Sequence, residues 1–239
     1  MTTARTRPSK FYFSLRSPYS WLAWRDLLSQ FPDVAEEVEW RPFWEPDRLS
    51  LDLLTEAGGD FVYTPMSREK HLYILQDVRR LAAERGLTVA WPADRAPVWE
   101  VPHLAYLAAG KHGRGREFIA AAYEARWEHG EDICSPAIVA DIAGTIGLDP
   151  EELATAAESP ALRAEGVGRL RDIDADGVFG VPFFVHGYAK YWGMDRLPRF
   201  AAAVREQAAS RPSVMTLADG ALIEAGGRTT DWGHEGGCG

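Results

Sequence analysis

The stretch Phe11-Tyr12-Phe13-Ser14-Leu15-Arg16-Ser17-Pro18-Tyr19-Ser20-Trp21-Leu22 changes its period halfway along, and that change decides how the chain reads. Phe11, Phe13 and Leu15 alternate with Tyr12, Ser14 and Arg16, which is the two-residue period of a strand. From Ser17 the period becomes helical: Ser17 can cap, Pro18 suits a first turn, and Trp21, Trp24, Leu28 and Phe31 follow at helical spacing. A strand that runs into a helix leaves the first backbone N–H groups of that helix without intrahelical partners. The positive end of the helix dipole points the same way, so an anion is favoured at Ser17.

Composition narrows the classes. Of 239 residues, 46% are hydrophobic and 26% charged, which is a soluble globular chain able to bury a core. That length fits one large domain or a domain with a substantial insertion. No apolar run approaches the roughly 18 residues of a membrane span. Met1 to Lys10 is polar and basic and lacks a secretory apolar segment, so the expected compartment is the cytoplasm. Two cysteines, Cys134 and Cys238, fit a reducing environment and no disulfide framework.

The net charge of −9 argues against a nucleic-acid surface. One basic cluster, Lys111, His112, Arg114 and Arg116, sits among Gly110, Gly113 and Gly115. It lacks the Gly-Lys-Ser/Thr ending of a phosphate loop and reads as a solvated interhelical loop. Six histidines lie without paired ligand spacing, so no metal site is expected. His234 and Cys238 in the Gly-rich C-terminal tail are two ligands at most, and the tail itself reads as disorder or a surface arm.

Further along, Phe31-Pro32-Asp33 breaks the first helix, and Val38 and Trp40 alternate with Glu37, Glu39 and Arg41 as a second strand closed by Pro42 and Pro46. Asp47 to Thr64 reads as a loop with a short helical turn at most. Helices are expected over Ser67–Gly86, Val98–Ala109, Arg114–Glu128, Ala137–Ile146, a short one from Asp149, and Ala161–Asp176. Strand character returns at Val181–Val185, turns at His186-Gly187, and continues through Tyr188–Trp192 as a hairpin. A final helix runs over about Asp195–Ala208. Strand, helix, strand, helical block, strand, strand, helix is the order of an α/β thioredoxin-like fold with a large all-helical insertion. The expected division is 10–46 with 177–208, an inserted 47–176, and a tail from 209.

Ser17-Pro18-Tyr19-Ser20 has the shape of the Cys-Pro-Tyr-Cys motif of thioredoxin-like proteins, with serine at both cysteine positions, which disfavours dithiol–disulfide exchange. The proline in Val181-Pro182-Phe183 would normally demote a strand. Gly177-Val178-Phe179-Gly180-Val181-Pro182 resembles the Gly-x-Phe-Gly-x-Pro of kappa-class glutathione transferases and 2-hydroxychromene-2-carboxylate isomerases, on the DsbA-like branch of the thioredoxin superfamily. Trp40-Arg41-Pro42, Leu75–Leu87, Trp127–Pro136 and Trp192-Gly193-Met194-Asp195-Arg196-Leu197 agree in order and spacing, so the resemblance spans residues 10 to 208.

That resemblance implies a cis peptide at Pro182 and glutathione or another low-molecular-weight thiol as cofactor. Ser17, Pro18, Tyr19, Val181, Pro182, Met194 and Asp195 would bind it. Ser17 is the catalytic candidate, its hydroxyl meeting the thiol sulfur at the helix N-terminus and favouring thiolate. The activity implied is isomerisation of a small conjugated or aromatic substrate, with a transferase or a non-catalytic binding protein as alternatives, and a homodimer as the assembly. Trp21, Trp44 and Trp192 are candidates for an aromatic substrate pocket, with plain core as the competing reading of each. Three departures stand out: Ser14 where the family often has Asp, Met194 in place of a hydroxyl residue, and no Asn-x-Pro-Pro phrase within 58–66.

Overall fold

The computed structural model describes residues 7–62 and 66–210. Four short strands form one mixed sheet in the order β2-β1-β3-β4. β1 (Lys10–Phe13) runs parallel to β2 (Glu39–Pro42), with Phe11 opposite Trp40. On its other side it runs antiparallel to β3 (Phe183–His186), with Phe11 opposite Phe184. β4 (Ala189–Trp192) completes the hairpin, with Phe183 opposite Trp192. β1 is therefore interior to the sheet, and the alternation in its sequence does not mark a wet face. Phe11, Tyr12 and Phe13 are all fully buried. Phe11 stacks on Phe184 at 4.9 Å while Tyr12, on the opposite face, sends its hydroxyl to Asp176.

α1 (Pro18–Gln30) follows β1, and Phe31 with Pro32 ends it, where a new short helix α2 (Pro32–Glu37) begins. The sequence signalled only the break. Proline blocks continuation of one helix and opens the next, because its missing N–H is unneeded in a first turn. Between β2 and β3 lie α3 (Arg48–Glu56), α4 (Arg68–Ala83), α5 (Glu100–Lys111) and α6 (Gly115–Tyr123). They are followed by α7 (Pro136–Thr145), α8 (Pro150–Ala154) and α9 (Pro160–Asp176).

α3 corrects the expectation of a loop over 47–64. Asp47 caps it by accepting from the Ser50 N–H at 2.7 Å, and Leu54 is its fully buried anchor. A nine-residue helix with so small an apolar face gives little periodicity to read. α9 stops where Gly177 takes φ 63°, a left-handed geometry that returns the Gly177 and Val178 N–H groups to Asp174 and Ile173 carbonyls. The expected helix over Arg114–Glu128 is continuous, but its last turn widens to a π-turn at Glu124–Glu128, which buries Ala125, Arg126 and Trp127 together. The C-terminal helix is also in two parts: a 3₁₀ turn Met194–Arg196, then α10 (Leu197–Ala209) with Phe200 stacked on Phe184 at 4.9 Å. The tail with His234 and Cys238 lies outside the described residues.

Candidate functional site

Ser17 sits where the sequence change placed it, as the N-cap of α1, with φ −89° and ψ 119°. Its Oγ accepts from the Ser20 N–H at 3.2 Å. An oxygen that already accepts in this way keeps its own O–H to donate outward. The turn before it is closed by the Ser17 N–H donating to the Ser14 carbonyl at 3.1 Å. Tyr123 Oη donates to that same carbonyl at 3.1 Å. Ser20, the other serine of the motif, is fully buried and accepts from the Ser14 N–H at 3.2 Å. The two serines thus diverge: Ser20 ties the helix to the strand, and Ser17 is half-buried at its open end.

Facing α1 is the Val181–Pro182 peptide, which is cis. The Pro182 carbonyl accepts from the Gly193 N–H at 2.9 Å, which holds the 193–195 turn beside it. Gly193 has φ 98°, and an added Cβ would meet Asp195 Oδ1 at 2.7 Å, so this turn requires glycine. Asp195 accepts from Arg196 Nη1 at 2.8 Å and is largely exposed.

Between these segments opens a cleft of about 590 Å³. One wall is Val181, Pro182, Trp192, Gly193, Met194 and Asp195, with Leu197 and Pro198 from the start of α10. The other combines Tyr19, Asp26, Gln30 and Phe31 of α1 and its end with Asp77, Leu81 and Arg85 of α4 and its end. Tyr19 Oη donates to Asp77 Oδ2 at 2.8 Å, and Arg80 Nη2 donates to Asp77 Oδ1 at 3.0 Å. Partial burial, then the bond to Asp77, push the Tyr19 phenol well above its ordinary value. Burial acts to raise Asp77, but hydrogen bonds from Tyr19, Arg80 and Tyr73 outweigh it and hold the carboxyl below the usual range. Arg85 grips Asp26 through Nε at 2.8 Å and Nη2 at 2.7 Å, while Nη1 donates to the Leu81 carbonyl at 2.6 Å.

Of the expected site residues, the cleft lining contains Tyr19, Val181, Pro182, Met194, Asp195 and Trp192. Ser17 and Pro18 are not in that lining and stand at the helix start immediately before Tyr19. Trp21 and Trp44 are elsewhere: at 0% and 2% exposure they are core residues. Trp21 stacks on Trp127 at 6.2 Å, and Trp44 stacks on His103 at 5.3 Å. The core reading therefore holds for Trp21 and Trp44, and only Trp192 of the three lines the cleft; helical spacing aims Trp21 into the helix-packing face.

Asp26, Asp77 and Arg85 went unread in the sequence. A signal was there: Tyr73, Asp77, Leu81 and Arg85 recur every four residues, and Asp26 interrupts the apolar face of α1.

The basic cluster holds no free charge for a phosphate. Lys111 pairs with Glu165, His112 with Glu152, Arg114 with Glu117 and Arg116 with Glu36. Among the described residues there is no group of three or more His, Cys, Asp or Glu that could hold a metal ion. No described helix is long and apolar enough to cross a membrane. Burial first, then the neighbouring Asp132, push the Cys134 thiol up to about 12, so it is not a reactive thiolate.

The model of the DSBA-like thioredoxin domain family matches residues 10–205. A 2-hydroxychromene-2-carboxylate isomerase of Sphingobium xenophagum is 30% identical over 200 residues, covering 80% of this chain and 95% of that protein. A solved 2-hydroxychromene-2-carboxylate isomerase superposes with a TM-score of 0.65 at 22% identity, over 84% of this chain and 95% of its own. The cytosolic disulfide reductase DsbM of Pseudomonas aeruginosa, solved with GSH, gives 0.56 at 17% identity, over 84% and 98%.

Proposed function

Because the chain belongs to the DSBA-like thioredoxin family, beside 2-hydroxychromene-2-carboxylate isomerase, we propose that it is a thiol-dependent isomerase of a small conjugated substrate. The observation that carries this reading is one cleft that brings the first turn of α1 to the cis Val181–Pro182 peptide and the 193–195 turn. With serine at both motif positions the chain has no dithiol of its own, so a small thiol is its source of sulfur.

The residues fit the reactive end of such a thiol. Ser17 Oγ has its acceptor side engaged by Ser20 and its proton to give. That proton and the N-terminus of the 13-residue α1 both favour thiolate over thiol. Val181 lines the cleft, and its backbone would pair with the cysteinyl unit, while Asp195 would accept from an ammonium. When bound, the thiol supplies a nucleophile that adds to a conjugated double bond and leaves again, splitting one hard step into two. Trp192 gives the apolar side on which a flat substrate can rest. Tyr19 donates to Asp77, so its phenolic oxygen presents lone pairs to any N–H or O–H in the cleft.

Glutathione is the thiol proposed, supported by the family and by the fold relative solved with GSH. A homodimer, a cytoplasmic location, and a division into 10–46 with 177–208 and an inserted 47–176 belong to the same reading. A thermal-shift screen of glutathione and other small thiols tests the site: a thiol at 100 times its Kd adds about 2.7 kcal/mol, a rise of roughly 5 °C or more. Product analysis then tests the reaction. Isomerisation leaves the thiol concentration unchanged, and consumption of one thiol per turnover would make the protein a transferase instead.

A further inference from the structure

From the geometry beneath Ser17, we infer that His103 of α5 is a positioning residue, whose Nε2 accepts from the Leu15 N–H and thereby sets where the Ser17 hydroxyl stands. This rests on the reading of Ser17 as the thiol-activating residue.

The turn from Ser14 to Ser17 is closed by its own hydrogen bond, which leaves the Leu15 N–H pointing out of the turn. Leu15 is fully buried, so water cannot satisfy that group. His103 does so from 88 positions away, with Nε2 at 3.2 Å. The partners also fix the tautomer. A backbone N–H can only donate, so Nε2 must be unprotonated, and the proton is on Nδ1, which donates to the Trp99 carbonyl at 2.7 Å. A doubly protonated ring would set N–H against N–H.

His103 is fully buried, and that burial holds its pKa down to about 3, so the ring is neutral at any working pH. It cannot swivel either: Trp44 stacks on it at 5.3 Å and 18°, and Trp99 meets it at 6.5 Å and 71°. A hydroxyl that must meet sulfur at hydrogen-bond range tolerates about 0.5 Å of error. Among the described residues, His103 is the side chain that fixes the turn's Leu15 N–H, as Tyr123 fixes its Ser14 carbonyl.

The test uses Ser17→Cys as a reporter, because its thiolate absorbs in the ultraviolet and titrates with position. Ser17→Cys alone should titrate below the roughly 8.5 of a free cysteine. Adding His103→Phe, which fills the space and removes the acceptor, should cut the thiolate fraction at pH 7 severalfold. Adding His103→Gln, whose amide oxygen can accept from Leu15, should keep it within twofold of the parent. In the serine protein, His103→Phe should lower kcat about tenfold with KM within threefold, and His103→Gln should recover most of it.

Equal thiolate fractions and equal kcat in the parent and in His103→Phe overturn the inference, as does Gln failing as fully as Phe while folded. If the parent Ser17→Cys titrates like free cysteine, the Ser17 reading falls and the inference with it. Should His103→Phe not fold, amide exchange in the unaltered protein decides: a Leu15 N–H that exchanges as fast as a surface amide overturns the proposal, and strong protection retained in His103→Gln supports it.

Discussion

The N-terminus of α1 is held from two sides by different physics. Beneath it, Ser14, Leu15 and Ser20 are fixed by Tyr123, His103 and one another, all buried and all uncharged at neutral pH. Around the cleft in front of it, Tyr19, Asp26 and Asp195 are held by Asp77, Arg85 and Arg196, charged groups with partial access to water. Neutral buried bonds do not respond to salt or moderate pH and cannot be exchanged for a ligand. Ionic contacts at a cleft wall can be shared with one. The molecule thus places rigidity behind Ser17 and adjustability in front of it.

Ser17 is the joint between the two sides, and its removal carries the largest expected effect. Ser17→Ala deletes the donor to a developing thiolate, for which a loss of 10² or more in turnover is typical. The lost cap costs about 1 kcal/mol, a fall in Tm of roughly 2–4 °C for a chain of this size. Turnover and thermal denaturation measured on one preparation check both. A fall in Tm with turnover intact would mean the joint is merely structural.

The Asp26–Arg85 pair tests the ionic side. Their side chains are 12% and 24% exposed, between the surface and the interior. Asp26→Ala leaves Arg85 with one carbonyl partner and should cost about 2 kcal/mol, between the surface and buried limits. The double variant with Arg85→Ala should cost less than the sum of the singles, with a coupling of about 1 kcal/mol or more. Urea midpoints at constant m measure it. Additive losses would make this wall no more adjustable than the buried side.

What could be read in the sequence follows the same division. Ser17, Pro18 and Val181-Pro182 are short-range signals: a cap, a first-turn proline, a proline inside a strand. Each states its geometry within a few residues. The contacts that tie this region to α4, α5 and α6 join residues 58 to 109 positions apart, as in Tyr19–Asp77, Asp26–Arg85, Leu15–His103 and Ser14–Tyr123. Nothing local in His103 or Asp77 announces its partner. Trp44 was legible as core or pocket lining but not as the partner of His103, because its site is built by α5, which neighbours it only in space. α3 was lost for a different reason: its nine residues bury only Ser50 and Leu54.

Tyr19→Phe is expected to have a smaller effect. It removes one hydroxyl from Asp77, which keeps Arg80. A single net hydrogen bond is worth about 1 kcal/mol, so thiol affinity should weaken up to about fivefold with kcat little changed. A kcat loss matching that of Ser17→Ala would instead make Tyr19 part of the neutral, positional side.

The smallest expected effect concerns Glu100, the one carboxyl on the buried side. Its Oε1 accepts from the Asp47 N–H at 2.7 Å and from Trp44 Nε1 at 3.3 Å. Its Oε2 is buried with no partner among the described residues. Desolvation, reinforced by the nearby Asp47 carboxylate, raises its pKa. The sign of the consequence follows. A carboxyl with a raised folded pKa binds more protons folded than unfolded, so its contribution is fully present below the unfolded value of about 4.3 and is lost as pH rises through the folded value. Glu100→Gln keeps an acceptor for Asp47 and Trp44 and cannot ionise. Relative to the unaltered protein, the variant should therefore gain stability as pH increases from 4 to 8, and the two should draw together at the acid end. Urea midpoints at several pH values measure the difference. A gap that stays constant with pH would mean Glu100 ionises as freely as a surface carboxyl, and the contrast between a neutral buried side and an ionic open side would lose its sharpest case.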